Sequence, residues 1–379
     1  MRNSALTAKI EVTEGVDVSP APATDAIRIE KPQLKPVVKT QTTEESSGSL
    51  DTAAPIVGGA YMEFTCTVYG KGSGTPATAP EWATLLKICG YAETIVAAAI
   101  PAAPEACAAG GSTTTAVLGA TAAGTLQLYR GAPVVFTGTV ALTTAITDYT
   151  AAKTATLGST ATAAIVATTN YQIPVHVRYT PTSAAAPSAT LYLYEDGIRY
   201  RLVGCRGDAK FSLTANGTLK IDFTIRGMLL DKADISMPTT FVYQPTTKPI
   251  WKGNAMYVGQ KTAAVSNASF QLGNKLTNPD DPNQTQGFMP AIITARNITG
   301  TIDPLMTLVA TRNSLSDLLS SVQQSLYLAL GSVSGNRIVM TMPLIQHTGV
   351  DDTDREGVLA ETLNFQNCVN DAGLIIAIY

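Results

Sequence analysis

Charge is scarce in this chain. Asp, Glu, Lys and Arg make up only 15% of its 379 residues, against about a quarter in an ordinary globular domain. The net charge is −3, so the overall balance gives no sign of nucleic-acid affinity, which would need concentrated Lys and Arg. Histidine occurs twice, at His176 and His347. The five cysteines, Cys66, Cys89, Cys107, Cys205 and Cys368, are scattered and form no Cys-x-x-Cys. A zinc site is therefore not expected, and the cysteines read as free thiols of a reducing compartment. Aromatics make up 6%, with Trp82 and Trp251 the two tryptophans, too few for a sugar-stacking platform. A bilayer-spanning run is missing too. The most apolar stretch, 95–111, is broken by Pro101 and Pro104 and carries Glu105. The N-terminus lacks the apolar core of a signal peptide. The chain reads as soluble and non-secreted, and the Asn-x-Ser/Thr triplets at Asn216, Asn267, Asn283 and Asn297 read as chance.

What the chain does have is Ala, Thr, Gly and Ser arranged in β-rich runs. Residues 1–60 hold short runs between Pro-rich and Ser/Thr-rich joints and read as an arm; the polar segment 42–55 is expected to order only on assembly. "AYMEFTCTVYG" (60–70) alternates as a strand does. "TAPEWATLLKICG" (78–90) predicts a helix, with Thr78 and Glu81 at capping-box spacing and Gly90 as its C-terminal glycine. Its stripe is Trp82, Leu85, Leu86 and Cys89. Residues 91–172 nearly lose charge and predict an inserted small β-module. Next comes "LYLYEDGIRYRLVG" (191–204), a hairpin turned on Asp196-Gly197, and a second hairpin signal at Asn216-Gly217. Along 219–225, Leu, Ile, Phe and Ile alternate with Lys, Asp and Thr, one face apolar and one polar. A Pro/Thr-rich connector covers 231–252.

The second half repeats the plan. Strands at 268–304 precede a helix at 314–323 with Leu315, Leu318, Leu319 and Val322 at the same i, i+3, i+4, i+7 spacing. "SLYLALG" and "RIVMTMPLIQHTG" follow, and "GLIIAIY" ends the chain. Strand, helix and β-meander thus occur twice, at a period too long for a solenoid, which predicts a duplicated domain.

Candidate chemistry is thin. His176 sits between Val175 and Val177 as an ordinary strand residue would. In "GVDDTDREG" (349–357), Asp352, Asp354, Glu356 and Gly357 mimic a calcium loop, but its twelfth position falls on Leu363 and Arg355 adds positive charge. A charged hairpin turn is the simpler reading. "NPDDPNQTQG" (278–287) reads as a solvated loop. "YGKGSGTP" (69–76) lacks the P-loop pattern, and no Gly-x-Ser-x-Gly occurs. No catalytic, cofactor-binding or metal residue is assigned, and no enzyme is expected.

The segments 79–94, 178–213 (above all "RYTPTS", "TLYLYEDG" and "LVGCRG"), 221–229 and 269–304 together resemble the tail tube, or major tail, proteins of long-tailed bacteriophages. Residues 129–174 separately resemble small β-modules of phage structural proteins. The resemblance implies a mainly β, duplicated tail-tube fold: β-sandwich or barrel-forming sheets, each with a flanking short helix, plus the inserted module. It implies a first tube domain at 1–90 and 173–250 with an N-terminal arm, the module at 91–172 on the outer surface, and a second tube domain at 251–379. It implies a virion protein, assembled in the bacterial cytoplasm, whose main partner is itself: stacked homotrimeric, pseudo-six-fold rings, or alternatively homohexamers. The other partners it implies are tail proteins at the tube ends (tape measure, terminator, tail tip). DNA would pass through the lumen without specific binding, and no membrane or cofactor is involved. The alternative function is a tail-tip or surface β-protein acting in adhesion or carbohydrate binding.

Overall fold

A computed structural model describes residues 3–46, 48, 51, 54–184 and 186–379. Of the 42–55 segment expected to order on assembly, residues 47, 49, 50, 52 and 53 lie outside the described residues. The protein is mainly β. Among the described residues its strands form a 17-stranded sheet, which includes the short strands Ala26–Ile27, Met256–Val258 and Lys261–Ala263 besides those labelled below, a separate six-stranded sheet and a two-stranded ribbon.

The first half of the large sheet is built from β1 (Ser4–Ile10), β2 (Glu30–Gln41), β3 (Ile56–Tyr69), helix α1 (Ala83–Ile88), β4 (Tyr91–Val96), β5 (His176–Pro181), β6 (Ala189–Glu195), β7 (Ile198–Thr214) and β8 (Lys220–Asp234). Its antiparallel pairing order is β2-β3-β8-β7-β6-β1, with β4 on β5. The alternation read along 219–225 explains the packing. Ile221, Phe223 and Ile225 lie opposite Val68, Cys66 and Phe64 of β3, all buried, while Lys220 and Asp222 face water. The β6–β7 turn is tight because Asp196 and Gly197 both take positive φ (45° and 93°). The second hairpin is looser. Asn216 alone takes positive φ, and backbone bonds to Trp251 pin the turn from both sides.

The second half comprises β9 (Val265–Gln271), β10 (Thr299–Pro304), α2 (Ser314–Leu319), β11 (Gln323–Leu330), β12 (Ile338–Arg355), β13 (Val358–Asn367) and β14 (Ile375–Ile378). The order here is β9-β10-β13-β12-β11. Strand, helix and hairpin are therefore paired as in the first half: β3-β8-β7-β6 matches β10-β13-β12-β11. Two seams join the halves. Lys210–Thr214 of β7 pair with β9, and β5 pairs with β14. One apolar cluster runs through both, from Phe64 and Trp82 to Phe365 and Ile378; the 250/251 boundary drawn in the sequence is not a gap between two cores.

The inserted module is shorter than its compositional signal. Its six strands run from Ile100 to Ile173 around their own core. Residues 91–96 belong to the large sheet instead, because Tyr91–Val96 pair with Pro181–His176. The module is also not free-standing. Ala145 packs with Tyr327, Val339 and Tyr379. Gln260 Nε2 donates to the Leu157 carbonyl at 2.8 Å, and Arg178 Nη1 donates to the Arg130 carbonyl at 2.9 Å.

Both helices are shorter than their sequence signals. The first spans six residues, not 78–90, and no side chain caps its start. Glu81 is committed elsewhere: its carboxylate lies 3.3 Å from Lys71 Nζ, both side chains being only 3% exposed. Gly90 does end the helix, with φ of 85°. Its stripe of Trp82, Leu85, Leu86 and Cys89 is wholly buried. The second helix ends at Leu319 rather than 323 and breaks the matching expectation: Leu315 is 57% and Leu319 77% exposed, and Val322 is exposed too.

Candidate functional site

Each residue singled out for chemistry is placed in a structural role. His176, on β5, is buried, with Nδ1 2.7 Å from the Pro174 carbonyl. Burial pushes its pKa down to about 4, the Pro174 hydrogen bond opposing and Arg178 adding to the fall. His347, on β12, is buried with Nε2 2.7 Å from Gln324 Nε2, and burial lowers its pKa as well. The two lie in different halves.

The calcium-loop mimic is the β12–β13 hairpin. Asp351–Arg355 are paired strand residues, so Asp352 and Asp354 are stretched out along one face of a hairpin instead of lying on a loop that wraps round an ion. Glu356 and Gly357 form its turn at φ of 53° and 83°. Residues 278–287 lie in the connection between the strands of the two-stranded ribbon (Asn274–Thr277 and Ile292–Arg296). Asp280 accepts a bond from Lys39 at 2.9 Å, and Asp281 turns back on Asn283. Beside this loop, Phe288 packs edge-on against Tyr61. Among the described residues, no group of three or more His, Cys, Asp or Glu is placed to hold a metal ion. No helix among them is long and apolar enough to cross a membrane.

The glycine loop after β3 is spent on internal bonds. Gly72 N–H donates to Asn336 Oδ1 at 2.7 Å and Gly74 N–H to the Gly335 carbonyl at 3.1 Å. Lys71 faces Glu81 and donates to the Gln244 carbonyl at 2.7 Å, while Trp82 Nε1–H donates to the Lys71 carbonyl at 2.9 Å. Burial pulls the Lys71 pKa below the usual lysine range while the Glu81 charge pulls it back up. This is a knot tying α1 to the connector, not an anion cradle. Cys66, Cys89, Cys107 and Cys205 are buried, and burial raises every one of these thiols.

Three kinds of surface stand open among the described residues. The outer edge of β2 has no paired strand among the described residues. The same holds for one edge of β12 beyond His347: there β13 occupies only one side, and β11 reaches no further than Gln346. The third is the bare apolar side of α2. Sequence reasoning missed the last two. Beneath α2 lie polar partners: Ser314 Oγ donates to Glu361 at 2.8 Å, and Arg312 lies 3.5 Å from the same carboxylate. The signal was present in Arg312 and Ser314, placed just where an apolar underside would have been expected. No protein-family model matches this chain, and no curated protein matches it.

Proposed function

We propose that this protein is the tail tube subunit of a long-tailed bacteriophage, a structural protein that self-assembles into stacked rings through which DNA is ejected. The observation that carries the reading is the strand order. Both halves lay a strand, a short helix and a hairpin into the same antiparallel arrangement, and β9 continues the sheet of one half into the other. A sheet left with free edges is a hazard in a solitary protein and a means of closure in a ring. The tail-tube resemblance of segments 178–213 and 269–304 supplies the kind of ring. Two equivalent units per chain fill six positions with three chains. The low charge suits a wall that DNA must slide past, because affinity grows with each phosphate neutralised. The inserted module lies on the outside of the tube.

Electron microscopy of the purified protein tests this. Tubes whose rings hold three chains with pseudo-six-fold density are the expected result. Six full chains per ring would overturn the duplicated reading, and a chain that stays monomeric at every concentration would overturn the tube.

A further inference from the structure

The seam between the two halves inside one chain has an unfilled counterpart at the far end of the molecule. In the first half, the C-terminal stretch of β7 has β8 on one side and β9 on the other: Ser212 lies opposite both Lys220 and Ser269. In the second half, β12 corresponds to β7 and β13 to β8. Thr353 of β12 lies opposite Ala360 of β13, but its other side has no strand among the described residues. The strand corresponding to β9 is β2, because β9 pairs with β10 as β2 pairs with β3. The outer edge of β2 likewise has no strand beside it among the described residues.

We propose that the bare edge of β12 binds the bare edge of β2 of a second copy of this chain, antiparallel, repeating the β7–β9 seam. This rests on the reading of the chain as two equivalent units. The pairings give the register. The ladders end alike: Lys220 lies opposite Tyr69 with Gly70 N–H donating to the Leu219 carbonyl, and Ala360 bridges to Leu305 with Met306 N–H donating to the Leu359 carbonyl; matching these ends sets Tyr69 with Leu305 and Ser212 with Thr353. Four residues before Tyr69 and Leu305 stand Thr65 and Thr301, which pair with Gln33 and Ser269. The seam Ser212–Ser269 therefore translates to Thr353 against Gln33 of the second copy, and Lys210–Gln271 to Asp351 against Lys35.

Two independent features fit that register. The first is charge. The register sets exposed Asp351 against exposed Lys35; of the other charges nearby, Arg355 is already held by Asp303 at 3.4 Å and Lys39 by Asp280 at 2.9 Å. The second is the helix. At the internal seam the second half closes over the end of α1: Asn274 Nδ2 donates to the Cys89 carbonyl at 2.8 Å and Arg296 Nη2 to the Gly90 carbonyl at 3.0 Å. The matching end of α2, with exposed Leu319 and Val322, has no such cover among the described residues. A second copy seated on β12 supplies it. Pro32 and Pro36 lack N–H groups, which strips donors from the β2 edge and discourages indiscriminate strand pairing. The complementary charges then choose the partner. The contact is head-to-tail, so it closes into a ring or extends as a filament.

Cysteines at Gln33→Cys and Thr353→Cys, in a Cys368→Ser background, test it, since the four remaining native thiols are buried. On oxidation the double variant is expected to give disulfide-linked oligomers on non-reducing gels, and each single variant to give none. In parallel, Asp351→Lys or Lys35→Glu alone should raise the concentration needed for assembly about tenfold, and the two together should restore it. Unchanged melting temperatures show that the variants fold. Tubes that form without the cross-link overturn this interface and leave the tube reading standing. Cross-linked oligomers that never form tubes uphold the interface and overturn the tube reading.

Discussion

The two short helices carry the same apolar spacing and meet opposite fates. Around α1, strands β1, β4 and β7 pack closely, and the connector reaches over through Gln244, so Trp82, Leu85, Leu86 and Cys89 are sealed. Around α2 the main contact is β12, and the side facing the sheet is polar, with Ser314 and Arg312 on Glu361. The apolar side of α2 is left outside. Periodicity declares that a helix has an apolar stripe; it says nothing about which neighbour covers it, or whether that neighbour is in the same chain.

The largest expected effect sharpens this contrast directly. Trp82→Ala removes a fully buried side chain and should cost about 3–5 kcal/mol in denaturant unfolding. A loss below about 1 kcal/mol would mean that α1 is not part of the cooperative core.

Next is the ion pair ahead of α1. Glu81→Ala leaves Lys71 buried without its counter-charge and should cost about 3 kcal/mol. Adding Lys71→Met should recover much of this in a double-mutant comparison; no recovery would show that Glu81 acts through its bonds to Gln244 instead.

The buried histidines separate the halves by pH. The native His176 takes its proton only near pH 4, whereas in the unfolded chain it does so near 6.5. Its folded pKa is depressed, so the unfolded state binds the extra proton between those values. Stability is full above about pH 6.5 and falls as pH drops towards 4, by on the order of 2–3 kcal/mol. His176→Gln should flatten that limb of the unfolding profile. His347→Gln should flatten it less, because the Asp317 and Glu361 charges oppose the effect of burial at His347. Equal effects of the two substitutions would break the comparison.

The helix ends differ by a smaller amount. The left-handed position after α1 is Gly90, whereas after α2 it is Ser321 at φ of 53°. Ser321→Gly should stabilise the chain by about 1 kcal/mol. The smallest effect is expected for Leu319→Ser in the isolated chain, within about 0.5 kcal/mol, since the side chain is already in water. In assembled protein the same substitution should weaken association, which analytical ultracentrifugation would read.

By itself, the sequence determined what is local. The alternation of Leu219, Ile221, Phe223 and Ile225, the Asp196-Gly197 turn, the terminating Gly90 and the existence of an inserted module all follow from backbone sterics, composition and side-chain period over short stretches. The tertiary structure alone decided what depends on a distant neighbour. Tyr91–Val96 went to the large sheet rather than the module because β5, far along the chain, offered a free edge. Glu81 left the helix cap because Lys71 needed a buried counter-charge. The acidic run at 351–355 became a strand edge because pairing with Val358–Thr362 stretches its carboxylates along a strand instead of round an ion. The stripe of α2 stayed outside because the surface beneath it was taken by Arg312, Ser314 and Glu361. Each outcome is a competition for partners between segments far apart in sequence, and a one-dimensional pattern records the competitors without recording who meets whom.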